Sequence, residues 1–149
     1  NYPRHNLMKG MGQIVTWSIR DESLHVEGLS KLFRTFMQEN PDLWTDKLKY
    51  EIYCAAEKTV ELEDNFIDIC FDKANVPNLT AKEVKEYIRY IADRRLLGIG
   101  MKKIFHSDEN PLPWIDMQLN AVEHTNFFEN RATEYAKAST QGNWQDIFK

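Results

Sequence analysis

The sequence has few cysteines and no long apolar run. Its 149 residues include only Cys54 and Cys70, too few for the disulfide framework of a small secreted domain. They lie sixteen positions apart on what the pattern indicates is one helix, where their side chains could not meet. We therefore expect buried thiols in a reducing cytoplasm. No stretch approaches the roughly 20 apolar residues of a membrane span, so we expect no membrane segment.

Positive charge is not in excess either, because the formal net charge is −4 at pH 7. Broad nucleic-acid binding normally needs a basic face, so we expect no nucleic-acid partner. What is present is 42% hydrophobic and 12% aromatic content, which is enough to bury a core. The length suits one domain or one large piece of a larger domain, without internal repeats or low-complexity tracts.

The apolar residues recur at helical spacing, and no segment alternates convincingly with period two. The pattern predicts a first helix over residues 13–38, ended by Asn40 and Pro41. A second helix is predicted over residues 43–73, with Asp42 as its N-cap. The chain is therefore predicted to be all-helical.

A third helix is predicted from its end signals. Thr80 and Glu83 have the spacing of a capping box, and the helix runs to about Leu97, where Gly98 and Gly100 end it. The remaining segments are predicted as a loop, a short helix and a polar tail that is flexible by itself, at residues 107–114, 123–135 and 138–149.

Glu22 and His25 share the apolar face of the first predicted helix. Steps of three or four residues give one stripe: Val15, Ser18, Glu22, His25, Leu29, Leu32 and Phe36. A carboxylate on an apolar face is costly unless its charge is compensated, and a metal ion compensates it. In di-iron carboxylate bundles, two helices each supply a Glu-x-x-His pair and two others each supply a carboxylate. The alternative is a chance spacing, with the histidine satisfied by a hydrogen bond.

A second metal-binding pair is absent from the sequence. None of the other histidines has an acidic residue three positions before it: His5, His106 and His124. The aligned acidic residues of the second helix are better explained as a solvated face: Glu57, Glu61 and Asp64. If Glu22 and His25 bind metal, the remaining ligands are expected from another chain or from a segment outside this sequence.

Four segments resemble, in order and separation, the small subunit of class I ribonucleotide reductases. Residues 19–25 resemble its Arg-Asp-Glu-x-x-His segment, and residues 87–97 its Tyr-Ile-x-x-x-Ala-Asp-Arg helix. Residues 110–114 are similar to its Asn-Pro loop. Residues 125–135 resemble its Asn-Phe-Phe-Glu-x-Arg segment and the Glu-Tyr pair that follows. The resemblance therefore extends over nearly the whole chain.

The resemblance implies a ferritin-like helical bundle, of which residues 1–137 are the C-terminal part. Residues 138–149 would be a flexible tail that docks on the large subunit, although a final Lys149 is less typical of the family. The implied function is to complete a dimetal site that uses oxygen to generate a radical. The radical passes to the large subunit of ribonucleoside-diphosphate reductase for deoxyribonucleotide synthesis.

The resemblance also implies roles for individual residues. Glu22 and His25 would be ligands to the second iron, and Asp21 would hydrogen-bond to a ligand histidine on the route of coupled electron and proton transfer. Arg20 would offset the local acidic charge, although an ordinary surface ion pair with Asp21 is the alternative. In the tail, the relay of the radical would involve two residues: Tyr135 and Glu129.

The family's other carboxylates, its first iron-binding histidine and its radical-bearing tyrosine lie upstream of the resemblance. We therefore expect an N-terminal half of the small subunit, the large subunit, and a second copy of the complete small subunit as partners. The cofactor would be dinuclear iron, with manganese or a mixed pair as alternatives. Two other functions compete with this one: a different ferritin-like dimetal oxidase, and a metal-free helical interaction module.

Overall fold

The computed structural model describes His5 and residues 7–73 and 75–117. Within these residues the chain forms three long helices and one short 3-10 turn: α1 (Lys9–Glu39), the turn (Pro41–Leu43), α2 (Asp46–Lys73) and α3 (Ala81–Gly98). Residues 113–117 are helical as well, and the described part of the chain contains no strand. The all-helical prediction is confirmed. The predicted helix at 123–135 and the tail at 138–149 lie outside the described residues.

The boundary between α1 and α2 differs from the prediction. Asn40 ends α1 as expected, because its backbone N–H and its side-chain amide both donate to the Phe36 carbonyl, at 3.0 and 2.9 Å. Asp42 does not cap α2, however, because it lies inside the 3-10 turn that begins at Pro41. The N-cap hydrogen bond comes instead from Thr45, whose hydroxyl accepts from the Leu48 N–H at 3.2 Å.

The ends of α3 follow the sequence closely. The Thr80 hydroxyl accepts from the Glu83 N–H at 3.2 Å, and the Glu83 carboxylate accepts from the Thr80 N–H at 2.8 Å. At the other end, Gly100 is left-handed with φ of 84°, and Met101 N–H donates to the Leu96 carbonyl at 2.9 Å. This is a Schellman motif, in which the apolar residues Met101 and Leu96 are both buried.

Helices α2 and α3 form an antiparallel pair. Asp64 and Asp68 of α2 contact Arg89 and Lys85 of α3 respectively, so the residue numbers run in opposite directions. The buried apolar residues lie between these helices and the segment that follows them: Val60, Ile67, Leu96, Met101 and Leu112. The core therefore belongs to α2, α3 and the segment up to residue 117.

Helix α1 packs much less closely. Its main described contact is near its end, where the rings of Phe33 and Trp44 meet edge to face with centroids 5.9 Å apart. The apolar stripe of α1 is exposed along most of its length, with Leu29 and Leu32 about two thirds exposed. No part of the chain that the structure describes covers this face.

Cys54 and Cys70 are free thiols, as expected. Their predicted burial is only partly right, because Cys54 is half-buried and Cys70 is exposed. Cys70 lies beside Phe66 and Ile69, which are also exposed, on a part of α2 that α3 does not cover.

The predicted loop at 107–114 ends two residues early. Pro113 is the first residue of the helical segment 113–117, a position that suits proline because its fixed φ matches the helix and its missing N–H is not needed there. The Asn110 side-chain oxygen accepts from the Leu112 N–H at 2.8 Å and closes the turn before it.

Among the described helices, none combines the length and apolarity needed to cross a membrane.

Candidate metal centre

Glu22 and His25 lie on one face of an unbroken helix, as the sequence predicts. Helix α1 is continuous through both positions, and a separation of three residues places side chains on the same side of a helix. Glu22 Oε2 and His25 Nδ1 are 3.5 Å apart. The structure therefore brings an oxygen and a nitrogen donor together on this face.

This spacing is compatible with one shared metal ion. Carboxylate oxygens and imidazole nitrogens bind transition metals at about 2.0–2.2 Å, so two donors of one ion lie within about 4.4 Å of each other. Two donors are nevertheless fewer than the four that a tetrahedral site requires. Among the described residues, no group of three or more His, Cys, Asp or Glu side chains could hold a metal ion. Glu22 and His25 thus fit part of a metal site.

The two side chains are open to solvent in this chain. Glu22 is 69% exposed and His25 is 67% exposed, whereas the sequence pattern placed both on a buried apolar face. Val15 and Phe36, at either end of the same stripe, are about half exposed. The stripe is therefore apolar in composition but uncovered by the described residues, and the two candidate donors lie in the middle of it.

The other predicted site residues are not brought to this pair by the described structure. Asp21 is exposed and is displaced by one residue, about 100° around α1, from Glu22. The Arg20 side chain lies outside the part that the structure describes, as do Glu129 and Tyr135. Their predicted roles stay predictions.

The acidic residues of α2 divide into two groups. Glu61 pairs with Lys58 on the exposed surface at 2.7 Å, as a solvated face predicts. Asp64 does not fit that interpretation, because its two oxygens accept from the Arg89 guanidinium at 3.0 and 2.6 Å. The hydrogen bond from Arg89 lowers the pKa of Asp64 and raises the pKa of Arg89. Asp64 therefore joins α2 to α3 and is not a metal ligand in this chain.

Asp93 is a buried carboxylate whose structural role the sequence did not indicate. It is fully buried, and it accepts hydrogen bonds from the backbone N–H groups of Ile104, Phe105 and Ser107 at 2.9, 3.0 and 2.9 Å. Burial opposes its ionisation, but these three amides together hold the pKa of Asp93 below its usual value. The signal in the sequence is its spacing, because Asp93 lies three residues before Leu96 and therefore on the same face of the predicted helix.

Arg94, the residue after Asp93, also holds the segment that follows α3. Arg94 approaches Asp116 at 3.4 Å, and the other Asp116 oxygen accepts from the Asn110 side-chain amide at 2.8 Å. Asp93 and Arg94 therefore fix the loop after α3 and the helical segment 113–117.

The chain is similar to known reductase subunits in sequence. The sequence model of the family described as ribonucleotide reductase, small chain, matches residues 1–111. A probable ribonucleoside-diphosphate reductase small subunit (048L) of invertebrate iridescent virus 3 is 49% identical over 145 residues, 97% of this chain and 39% of the relative. The ribonucleoside-diphosphate reductase subunit beta of Chlamydia pneumoniae is 38% identical over 138 residues, 93% of this chain and 39% of the relative.

The fold is similar to that of a solved structure. A crystal structure assigned to a class I ribonucleotide reductase from Bacillus halodurans superposes with a TM-score of 0.73 at 28% sequence identity, covering 79% of this chain and 42% of that chain. The helical structure agrees with the predicted ferritin-like fold. The chain spans about two fifths of the length of these relatives. Because the family match covers 111 of its 149 residues, the chain belongs to the ribonucleotide reductase small chain family.

Proposed function

We propose that this chain is the C-terminal part of a ribonucleoside-diphosphate reductase small subunit and that it supplies Glu22 and His25 to a dimetal site. One observation carries the proposal. In a chain of this family, an oxygen and a nitrogen donor lie 3.5 Å apart in the middle of an uncovered apolar face. Other helices must cover that face, and they can bring the remaining ligands with them.

A dimetal centre bound there, whether iron, manganese or a mixed pair, would activate oxygen, and oxygen would be the oxidant that generates the radical on a tyrosine or an equivalent redox centre. The residues of this chain would bind the metal ions and orient the ligands around them. Glu22 contributes carboxylate oxygen and His25 contributes imidazole nitrogen, and covering the apolar stripe excludes bulk water from both. Asp21 is the candidate to accept a hydrogen bond from a ligand imidazole, which would fix the orientation and tautomer of that ring.

We propose that the segment containing Glu129 and Tyr135 transfers the radical to the large subunit. Its support is the similarity of residues 125–135 to the family's Glu-Tyr segment, together with the names of the relatives. A phenol can lose a proton and an electron together, and Glu129 is a candidate proton acceptor on that route. Residues 138–149 would dock on the large subunit, and the complete small subunit would act as a cytoplasmic homodimer.

The chain by itself would bind metal weakly and would be inactive. The described residues offer only two metal donors on one face, and the apolar stripe around them is exposed. A partner that carries the remaining ligands would satisfy both deficiencies, because it would bury the stripe and complete the coordination. The isolated chain should therefore gain metal affinity only when the N-terminal part of the subunit is added.

The test replaces the two donors in the reconstituted complex. We expect Glu22→Ala or His25→Ala to remove about one metal ion per site while helical circular dichroism stays near the value of the parent complex. Glu27→Ala is the matched control, because Glu27 is an exposed residue of α1 that lies about 140° around the helix from Glu22. Unchanged metal content with lost helicity would mean that the pair is structural. A reconstituted complex that holds no metal would favour a metal-free helical module.

A further inference from the structure

Two successive residues of α3 hold the chain that follows this helix. Asp93 accepts hydrogen bonds from three backbone amides within residues 104–107, and Arg94 Nη1 lies 3.4 Å from Asp116 Oδ1. Asp93 is buried, whereas Arg94 is about half exposed. The loop and the helical segment 113–117 are therefore held separately, the first from inside the fold and the second at its surface.

Asp116 joins three parts of the chain. Its second oxygen accepts from the Asn110 side-chain amide at 2.8 Å, and the Asn110 side-chain oxygen in turn accepts from the Leu112 N–H at 2.8 Å. Arg94 is itself placed by Tyr90, one helical turn earlier, because its guanidinium lies 5.6 Å from the centre of that ring. The Asp116 carboxylate therefore ties α3 and the turn at Asn110 to its own helical segment.

The connection between this turn and Met117 is short and stiff. Pro111 and Pro113 each have a fixed φ, and the Ile115 N–H donates to the carbonyl of the buried Leu112 at 3.0 Å. Such constraints add nothing to a connection that only has to be long, but they fix the direction of the chain at Met117. The contacts described above hold that direction relative to α3.

We infer that Asp116 is a positioning residue for transfer of the radical. With Arg94 and Asn110, it fixes the direction in which the chain continues toward Glu129 and Tyr135. The inference rests on the proposed function, because the transfer role of Glu129 and Tyr135 comes from there. Asp116 acts by holding the chain, and it takes no part in metal binding or in the transfer itself.

The expected effect is on transfer and not on docking. Releasing residues 109–117 would add about nine unanchored residues to the connection that precedes Tyr135, and effective concentration falls with about the −3/2 power of linker length. Docking through residues 138–149 should therefore change by about twofold. Transfer is more sensitive, because a displacement of about 1 Å at a reacting group can lower a rate by about a hundredfold.

The test places a like charge beside Arg94 in the complete complex of this chain, the N-terminal part of the small subunit and the large subunit. In Asp116→Arg, we expect turnover at saturating large subunit to fall at least tenfold, with affinity for the large subunit within about threefold. Metal content and helical circular dichroism should match the parent, because exposed ion pairs contribute little to stability. Asp108→Arg is the matched control, since Asp108 pairs with Lys103 in the same loop at 2.8 Å, and its turnover should stay within about 1.5-fold.

Two further variants separate positioning from a general loss of structure. Asp116→Arg combined with Arg94→Asp restores an ion pair of reversed polarity, so turnover should recover at least threefold relative to Asp116→Arg alone. Asp116→Asn keeps the size of the side chain and should lower turnover about threefold, even if Asp116→Arg does not assemble. Parent-like turnover of both Asp116 variants, a loss that more large subunit overcomes, a loss of metal, or no recovery in the double variant would overturn the inference.

The outcomes also separate the inference from the proposed function. If Tyr135→Phe abolishes turnover at saturating large subunit while Asp116→Arg leaves it unchanged, the transfer role of Tyr135 stands and the inference fails. If Tyr135→Phe keeps normal turnover, the transfer role fails and the inference fails with it. The expected result is a loss in both variants, complete for Tyr135→Phe and partial for Asp116→Arg.

Discussion

Two carboxylates of this chain, Glu22 and Asp93, lie in opposite surroundings. Glu22 is exposed beside His25 on a face that nothing described covers, so its charge is solvated in this chain. Asp93 is fully buried, and three backbone amides compensate its charge. Glu22 is therefore available to a ligand, whereas the hydrogen-bonding capacity of Asp93 is used by its own loop.

Asp93→Asn should destabilise the chain, because the substitution reverses one hydrogen bond. Asp93 Oδ1 accepts from Ile104 and Phe105, and Oδ2 accepts from Ser107. The asparagine amide keeps one acceptor oxygen for Ile104 and Phe105 but turns its NH₂ group toward the Ser107 N–H. That buried N–H is then left without an acceptor. Such a loss costs about 1–3 kcal/mol, measurable as a lower free energy of unfolding and faster hydrogen exchange at Ser107.

Asp72→Asn is the control for this prediction. Asp72 is an exposed carboxylate near the end of α2, paired with the adjacent Lys73, and exposed pairs contribute about 0–1 kcal/mol. Equal stability losses for the two variants would contradict the role assigned to Asp93.

At the scale of elements, helix ends and pairings differ in how well the sequence predicts them. The capping box at Thr80 and the glycine-rich end of α3 were predictable, because their hydrogen bonds join residues close in sequence. The start of α2 was not, since a 3-10 turn after Pro41 competes with the N-cap predicted at Asp42. The sequence pattern predicts a solvated Asp64, because its partner Arg89 lies 25 positions away and local spacing does not reveal it.

The Asp64–Arg89 pair predicts a pH dependence of stability. The folded-state pKa of Asp64 is lowered by its hydrogen bonds to Arg89, so folding favours the ionised form. The resulting stability is fully present above the unfolded-state pKa of about 3.9 and is lost as the pH falls through the lower folded-state pKa. Asp64→Asn should reduce the free energy of unfolding at pH 7, and the difference from the parent chain should shrink below about pH 4.

Urea unfolding at a series of pH values measures this dependence. Glu61→Gln is the matched control, because Glu61 is also on α2 but pairs within the helix on the exposed surface. A stability difference for Asp64→Asn that stays constant from pH 7 to pH 3 would contradict the assigned ion pair.

At the scale of the whole molecule, the helical fold and the proximity of Glu22 to His25 could be predicted from the sequence. The stripe of α1 placed Glu22 and His25 together because the helix period is fixed by the backbone. The sequence did not predict that both side chains would be exposed, because burial depends on which helices cover α1. No described residue covers the stripe, so the stripe predicts an interface but not the residues that complete it.

Tyr135→Phe should abolish nucleotide reduction in the complete complex while metal assembly and large-subunit binding remain nearly intact. Phenylalanine keeps the size of the ring but has no hydroxyl proton, so it cannot lose a proton and an electron together. A contact role would instead weaken docking by about 0.5–1.5 kcal/mol, roughly a tenfold change in affinity. More large subunit would overcome that loss. Turnover at saturating large subunit separates the two, and normal turnover there would contradict the relay assignment.

The most direct test of the central claim asks whether His25 coordinates the metal. This chain, labelled with ¹⁵N-histidine, is combined with an unlabelled N-terminal part and loaded with Mn²⁺, and pulsed electron paramagnetic resonance detects nitrogen bound to manganese. We predict a ¹⁵N hyperfine coupling that disappears in His25→Gln and persists in His106→Gln, since His106 lies in the loop after α3. A complex that binds manganese without this coupling, or that keeps the coupling in His25→Gln, would contradict the account.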